Sequence, residues 1–220
     1  MDDILEQLFH SPRLALYSRQ IQSALSEEQE KRERFYEEIT EDQKAEFING
    51  EIIVHSPVRI EHTIVGKLLL KALDTYVQIH HLGFVGYEKM LISLTRNDYE
   101  PDVCFWKNDK ASEFRPGQSK FPAPDFISEV LSPGTKKTDR TTKWEDYAAH
   151  GVGEYWIIDP AAQIVEQYIL DKSRYRLHVK ADSGVLKCQA VSGFDIPFRA
   201  LFDEAENLAA LRGILDSFPE

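Results

Sequence analysis

The chain has 220 residues, of which 42% are hydrophobic and 11% aromatic, enough to build one α/β domain with a sizeable core. No segment approaches the roughly 18 consecutive apolar residues of a membrane-spanning helix, and the acidic start, Met1–Glu6, lacks the pattern of a signal peptide. The two cysteines, Cys104 and Cys188, form neither a metal-binding spacing nor a disulfide framework. These features predict a soluble, cytoplasmic protein that does not associate with membranes.

The net charge of −11 argues at first against a nucleic-acid partner, because phosphate contacts need Lys and Arg. The acidity lies at the two ends: residues 1–50 carry 12 acidic and 6 basic side chains, and residues 201–220 carry 5 acidic and 1 basic. Residues 51–200 are nearly neutral, with 20 acidic and 19 basic side chains. A local basic patch there would not be cancelled, so DNA stays open as a partner.

The first third of the chain predicts helix, hairpin and helix. Residues 2–45 are rich in Glu, Gln, Lys and Leu, contain no Gly, and predict helix. Asn49-Gly50 then stands between two apolar runs, the strongest short signal for a β-hairpin. From Val58 to about His80 the apolar residues follow the helical period, which predicts an amphipathic helix.

The remainder predicts strands interrupted by one loop and one further helix. Polar residues 107–121 predict a loop, and Thr138–Ala149 predicts a helix with Gly151 just past its end. The apolar or alternating runs that predict strands are Gly83–Leu94, Tyr99–Trp106, Pro124–Leu131, Glu154–Pro160, Ile164–Leu170, Tyr175–Val179 and Val185–Ala190.

Two of these strands carry a carboxylate where a strand does not need one. Asp102 follows Pro101 and precedes an apolar run, and Glu129 lies within an apolar strand. A buried charge is costly unless it is paired or bound to a cation, and two converging carboxylates suit a hard divalent ion. Either residue alone is better explained as a solvent-facing charge at a strand end. The pair in this order favours a metal site.

The order of elements resembles the PD-(D/E)xK nuclease superfamily, and within it the Uma-type restriction endonuclease family, formerly a domain of unknown function. The pattern is helix, strand, strand with Pro-Asp, strand with Glu, helix and strand. The residues that carry the resemblance are Glu46–Ile52, Ser56-Pro57, His62, Pro101–Val103, Pro124–Pro133, Asp139, Lys143, Tyr147, Gly151-Val152 and Glu154–Pro160.

The resemblance implies an α/β fold with a restriction-endonuclease-like core. In this fold a central mixed β-sheet is flanked by helices, with extra C-terminal antiparallel strands and an N-terminal helical extension. We therefore expect residues 1–44 to form the helical extension, residues 45–200 the nuclease domain, and residues 201–220 a C-terminal helical tail.

The resemblance also implies phosphodiester hydrolysis by a Mg²⁺-dependent (or Mn²⁺-dependent) DNA endonuclease. Asp102 and Glu129 would hold the ion, with the backbone carbonyl of Val130 as a third ligand. The ion would polarise the scissile phosphate and activate a bound water. A homodimer is expected, because cutting both strands of DNA usually needs two sites.

The catalytic lysine of the superfamily lies two residues after the glutamate, but that position is Leu131. Lys143 matches the lysine of the family's next helix, and we predict that it takes this role. Lys136, Lys137 and Arg140 are predicted to contact phosphates, and a solvated basic turn at a helix start is their alternative.

Two further residues stay open. Glu46 matches a family glutamate before the Asn-Gly turn and would hold a metal-bound water or a second ion, but an exposed strand-edge charge explains it nearly as well. His62 shares a helix face with Leu69 and Leu73, which favours a hydrogen-bonded core or boundary histidine over a catalytic one.

The main alternative function is a catalytically inactive nuclease fold that binds DNA or a protein partner. Leu131 favours this alternative, whereas Asp102, Glu129 and Lys143 favour the enzyme. A small-molecule hydrolase is disfavoured because no Gly-x-Ser-x-Gly motif occurs. The absence of a phosphate-binding glycine-rich loop predicts that no nucleotide cofactor is used.

Overall fold

A computed structural model describes residues 3–40 and 43–217 of the chain. The chain divides into two compact units, Met1–His55 and Ser56–Glu220. Among the helices of the described ranges, none is both long enough and apolar enough to cross a membrane.

The first unit consists of two helices and a hairpin, whose bounds are α1 (Asp3–Phe9), α2 (Leu14–Glu38), β1 (Ala45–Ile48) and β2 (Glu51–Val54). The helix predicted over residues 2–45 is thus interrupted around Pro12, because proline lacks the N–H that a helix interior requires. Strands β1 and β2 pair antiparallel. Asn49 and Gly50 both have positive φ, 52° and 82°, as a two-residue type I′ turn requires, so the hairpin prediction is confirmed.

The second unit contains five helices, eleven strands and a 3₁₀ turn at Phe198–Leu201 within the described residues. Its helices are α3 (Ile60–Ile79), α4 (Asn108–Ala111), α5 (Lys136–Arg140), α6 (Thr142–Ala149) and α7 (Glu204–Asp216). Its strands are β3 (Gly83–Tyr87), β4 (Leu91–Ser93), β5 (Asp98–Tyr99), β6 (Val103–Lys107), β7 (Lys120–Phe121), β8 (Phe126–Val130), β9 (Glu154–Asp159), β10 (Ile164–Asp171), β11 (Arg174–Ala181), β12 (Val185–Lys187) and β13 (Asp195–Pro197).

A six-stranded mixed sheet forms the centre of this unit, in the order β11-β10-β9-β8-β6-β3. Strands β8 and β9 are parallel, and the other neighbours are antiparallel. One face of the sheet packs against α3 around Phe126, Trp156 and Ile158, and α7 packs against α3. Helices α5 and α6 lie on the other face, which they contact through Tyr147 and Lys143. The predicted α/β fold with a central mixed sheet flanked by helices is confirmed.

Two predicted strands are each divided in the structure. The predicted strand Gly83–Leu94 corresponds to β3 and β4. In the predicted strand Tyr99–Trp106, Tyr99 belongs to β5 and the residues from Val103 onward belong to β6. Strands β3 and β6 pair in the central sheet, whereas β4 pairs with β5 and β7. The first division falls at Glu88, whose φ of 41° turns the chain without a Gly or Pro to mark the turn.

Smaller differences occur elsewhere in the unit. The helix predicted over Thr138–Ala149 is divided into α5 and α6 at Thr141, whose φ and ψ of −127° and −86° are not helical. The predicted loop over residues 107–121 contains α4 and β7. Strands β10 and β11 extend the central sheet as a hairpin, while β12 pairs with β13 in a separate ribbon.

Candidate active site

The sheet register brings Asp102 and Glu129 together at the end of two neighbouring strands. Antiparallel β6 and β8 pair Val103 with Ser128, so Asp102 and Glu129 occupy the next position and share one face of the sheet. The backbone N–H of Val130 donates to Oδ2 of Asp102 at 2.8 Å. Both carboxylates are buried, with 6% and 4% of their surface exposed. The two residues predicted as metal ligands therefore form one cluster.

Helices α5 and α6 place three further side chains on this cluster at a spacing of four residues. Nζ of Lys143 lies 3.0 Å from Oε1 of Glu129 and 3.4 Å from Oδ1 of Asp139. The hydroxyl of Tyr147 donates to the same Oε1 of Glu129 at 3.0 Å. Asp139, Lys143 and Tyr147 keep a common face despite the break at Thr141, and the amine of Lys143 is buried beside Glu129.

His62 is a contact of the cluster that the sequence did not reveal. Its Nε2 lies 3.1 Å from Oδ2 of Asp102, and the residue is buried in the first turn of α3. The expectation of a hydrogen-bonded core or boundary histidine agrees with this burial, but its partner is the candidate metal ligand itself. The helical period identifies the buried face of α3 and contains no information about which strand end meets that face.

Tyrosine rings enclose the buried amine. The ring of Tyr147 lies between those of Tyr99 and Tyr155, with centroid distances of 5.2 and 5.3 Å. Nζ of Lys143 lies 5.7 Å from the centre of the Tyr99 ring, within range of a cation–π attraction. The hydroxyl of Tyr155 donates to the carbonyl of Asp139 at 3.1 Å. These rings exclude water, which strengthens the interactions between the enclosed charges.

Negative charge is concentrated at the cluster. Burial, and then the charges of Glu129 and Asp139, raise the pKa of the Tyr155 hydroxyl well above its usual value. Burial, and then Glu129, likewise raise the pKa of the Cys104 thiol. Both groups ionise to anions, so the nearby carboxylates oppose their ionisation.

The chemistry of the donors fits a hard divalent cation. Within the described residues, no three His, Cys, Asp or Glu side chains converge as a metal site, so a bound ion would depend on Asp102, Glu129 and the carbonyl of Val130. These donors are all oxygen, which Mg²⁺ prefers. Three buried carboxylates, those of Asp102, Glu129 and Asp139, lie around the amine of Lys143 and the ring of His62. A divalent cation bound there would offset part of their negative charge.

Glu46 lies in the first unit, on β1. Only 1% of its surface is exposed, and its Oε2 lies 3.1 Å from Nε2 of His55. The alternative of an exposed strand-edge charge is therefore wrong. Its catalytic role stays a prediction.

The three residues predicted to contact phosphates lie on α5. Lys136 and Lys137 are exposed, and Nζ of Lys136 lies 3.7 Å from Oδ2 of Asp159. Arg140 donates through Nη1 to Oε2 of Glu166. Lys136 and Arg140 would therefore bind a phosphate while each also pairs with a carboxylate of the protein.

The environment of Glu166 predicts an unusually acidic carboxyl group. Burial acts to raise its pKa, but hydrogen bonds from Arg140, Lys180 and Tyr168 outweigh burial and lower the pKa to about 2. Because the folded state favours the ionised carboxylate, Glu166 stabilises the fold. This contribution is complete above the ordinary glutamate pKa of about 4.3 and is lost as the pH falls through about 2. Carboxyl ¹³C NMR should show Glu166 ionised at pH 4. Arg140→Gln should raise the pKa, and an unchanged titration in that variant would contradict this assignment.

The fold is shared with a solved protein of the same α/β class. The crystal structure of "a putative nuclease belonging to DUF820" from Anabaena variabilis ATCC 29413 is similar to this chain, with a TM-score of 0.67 and 19% sequence identity. The similarity covers 79% of this chain and 96% of that one. It establishes the shared fold.

The sequence gives the family. Residues 29–199 match the family described as "Uma2: Putative restriction endonuclease", and the chain belongs to this family. The matched region includes Asp102, Glu129 and Lys143, and also His62 and Glu46. No curated protein matches the chain.

Proposed function

We propose that this chain is a DNA endonuclease that hydrolyses phosphodiester bonds with a divalent ion, Mg²⁺ or Mn²⁺. Asp102, Glu129 and the carbonyl of Val130 would hold the ion. When bound, the ion would polarise the scissile phosphate and lower the pKa of a water molecule. The observation that carries the proposal is the meeting of two buried carboxylates with the buried amine of Lys143, in a chain of this family.

The surrounding contacts would hold the proposed ligands ready before substrate arrives. The N–H of Val130 and the ring of His62 fix Oδ2 of Asp102. Lys143 and Tyr147 fix Oε1 of Glu129. Groups oriented in advance need no rearrangement as charge develops in the transition state.

Lys143 is proposed as the lysine of this site. Its amine would offset negative charge on the phosphate in surroundings from which the tyrosine rings exclude water. Its two carboxylate contacts, at 3.0 and 3.4 Å, keep the ammonium at the cluster. A lysine supplied by the following helix would compensate for Leu131, which is buried and occupies the position of the superfamily's catalytic lysine.

Several finer assignments belong to the same proposal. The nuclease domain spans residues 45–200, between a helical extension and a helical tail, and the active form is a homodimer that cuts both DNA strands. Glu46 supports a metal-bound water or a second ion. Lys136, Lys137 and Arg140 contact phosphates of the DNA.

An inactive nuclease fold that binds DNA or a protein is the second candidate. Buried Leu131 favours it, because it stands two residues after Glu129, where the superfamily has its catalytic lysine. Lys143 favours the enzyme, since its amine contacts Glu129 directly.

The deciding experiment measures conversion of supercoiled plasmid into nicked or linear DNA. We expect cleavage with Mg²⁺ or Mn²⁺ and none when EDTA removes the ion. Cleavage that persists in EDTA would contradict the metal-dependent mechanism. DNA binding without cleavage under any of these conditions would favour the inactive fold.

A further inference from the structure

A second charged cluster lies on the same face of the central sheet as the candidate active site. The strand registers pair Glu129 with Ile157, Ile157 with Glu166, and Glu166 with Lys180. Paired residues point to the same face, so Glu129, Glu166 and Lys180 belong to one row across β8, β10 and β11. With strands about 4.8 Å apart, the backbones of Glu166 and Lys180 lie roughly 10 and 14 Å from that of Glu129.

Glu166 holds two cations at the protein surface. Its Oε1 lies 2.8 Å from Nζ of Lys180, while its Oε2 accepts from Arg140 and, at 2.9 Å, from the hydroxyl of Tyr168. The carboxylate is buried, with 5% of its side chain exposed, but the side chains of Arg140 and Lys180 are 31% and 54% exposed. The cluster therefore presents its cations outward and its anion inward.

The cluster retains the capacity to bind an anion. A guanidinium has five N–H donors and an ammonium three. The bonds to Glu166 use one donor of each cation, and a hydrogen bond to Tyr168 uses one more of the guanidinium. Two cations on one carboxylate leave a net charge of +1. The same carboxylate restricts both side chains, which reduces the entropy lost when they bind a ligand.

We propose that Arg140 and Lys180, held by Glu166, form a binding site for a phosphate of the DNA backbone other than the phosphate that is hydrolysed. The separation of 10 to 14 Å along the sheet row exceeds the rise of about 3.4 Å per nucleotide of one DNA strand, so this phosphate belongs to a different nucleotide. The inference rests on the proposed nuclease function. It adds Lys180 and Glu166 to the DNA-binding surface and gives Arg140 a defined partner.

Arg140 also links this site to the candidate active site. It follows Asp139 directly on α5, and Asp139 contacts the amine of Lys143. One short helix thus carries a residue of each cluster, so a phosphate held by Arg140 and Lys180 would fix the distance between the DNA backbone and Glu129.

The test measures binding of a fluorescent DNA duplex by anisotropy at several salt concentrations, in EDTA and in Ca²⁺. Loss of one phosphate contact lowers the slope of log affinity against log salt by about 0.9. We expect this decrease for Lys180→Gln and for Arg140→Gln, with the same weakening on duplexes of unrelated sequence. A change that only disturbed folding would instead lower the fraction of binding-competent protein and leave the slope unaltered.

Arg176→Gln is the matched control. Arg176 lies on the same strand, forms an ion pair with Asp171 at 2.7 Å, and is 78% exposed. Its pairing with Ile169 places it on the opposite face of the sheet, so its slope should equal that of the wild type. Equal slopes for Lys180→Gln and Arg176→Gln would overturn the proposal, as would failure of the wild type to bind duplex in both buffers. The plasmid assay tests cleavage separately, so a failed nuclease proposal would be distinguished from a failed binding site.

Discussion

Replacing Glu129 with Gln should lower the rate of plasmid nicking by at least about a thousand-fold, since removal of one group that stabilises charge in a transition state costs about 10²–10³ and loss of the ion adds to it. The amide keeps the size of the side chain but lacks the charge that a divalent cation requires. Asp102→Asn should have the same effect, because both residues are proposed ligands of one ion. The rate is measured on supercoiled plasmid with Mg²⁺ and with Mn²⁺.

The control for this prediction is Glu145→Gln. Glu145 lies on α6, two residues from Lys143, and its side chain is exposed. This variant removes the same charge from a surface position and should cleave at the wild-type rate. Calorimetry should also show that Mg²⁺ binding is lost in Glu129→Gln and kept in Glu145→Gln. Undiminished nicking in both Glu129→Gln and Asp102→Asn would refute the assignment of the site.

The parts of the structure that were predictable from the sequence depend on local rules. The Asn49-Gly50 turn needs positive φ at both residues, and few other dipeptides satisfy that requirement. Asp102 and Glu129 were identified because each places a carboxylate beside an apolar run, and Lys143 because it matches the lysine of the family's next helix.

The remaining parts depend on contacts between residues distant in the chain. His62 reaches Asp102 only because α3 packs across the end of β6, and Arg140 meets Glu166 only because β10 lies two strands from β8. The division of Gly83–Leu94 has the same origin, since β3 and β4 pair with different strands. Periodicity identifies which face is buried, but the partner of that face is decided by the fold.

Leu131 shows how a pattern along the chain can fail while a lysine amine still reaches the same carboxylate. The superfamily pattern expects a lysine there, and the side chain is instead buried and apolar. Lys143, fourteen residues after Glu129, brings its amine to within 3.0 Å of that carboxylate. Spatial convergence is therefore a better guide to this site than spacing along the chain.

Replacing Lys143 with Met should both abolish cleavage and lower the free energy of unfolding by about 3–5 kcal/mol, the cost of removing one partner from a buried ion pair. Only 2% of Lys143 is exposed, and it contacts Glu129 and Asp139. Met preserves the volume of the side chain but leaves the buried carboxylates without their ammonium. Urea denaturation in EDTA measures this change in the free energy of unfolding. The control is Lys137→Met, on the exposed side of α5, whose free energy of unfolding should be close to that of the wild type.

The double variant Glu129→Gln/Lys143→Met separates the role in stability from the role in catalysis. Removing the carboxylate together with the amine relieves the unpaired buried charge, so the double variant should be more stable than Lys143→Met alone. It should still not cleave DNA, because both proposed functional groups are absent. If Lys143→Met were as stable as the wild type, the amine would not neutralise the buried carboxylates. Cleavage by Lys143→Met would show that another residue supplies the catalytic cation, and exposed Lys136, at the start of α5, would be the next residue to replace.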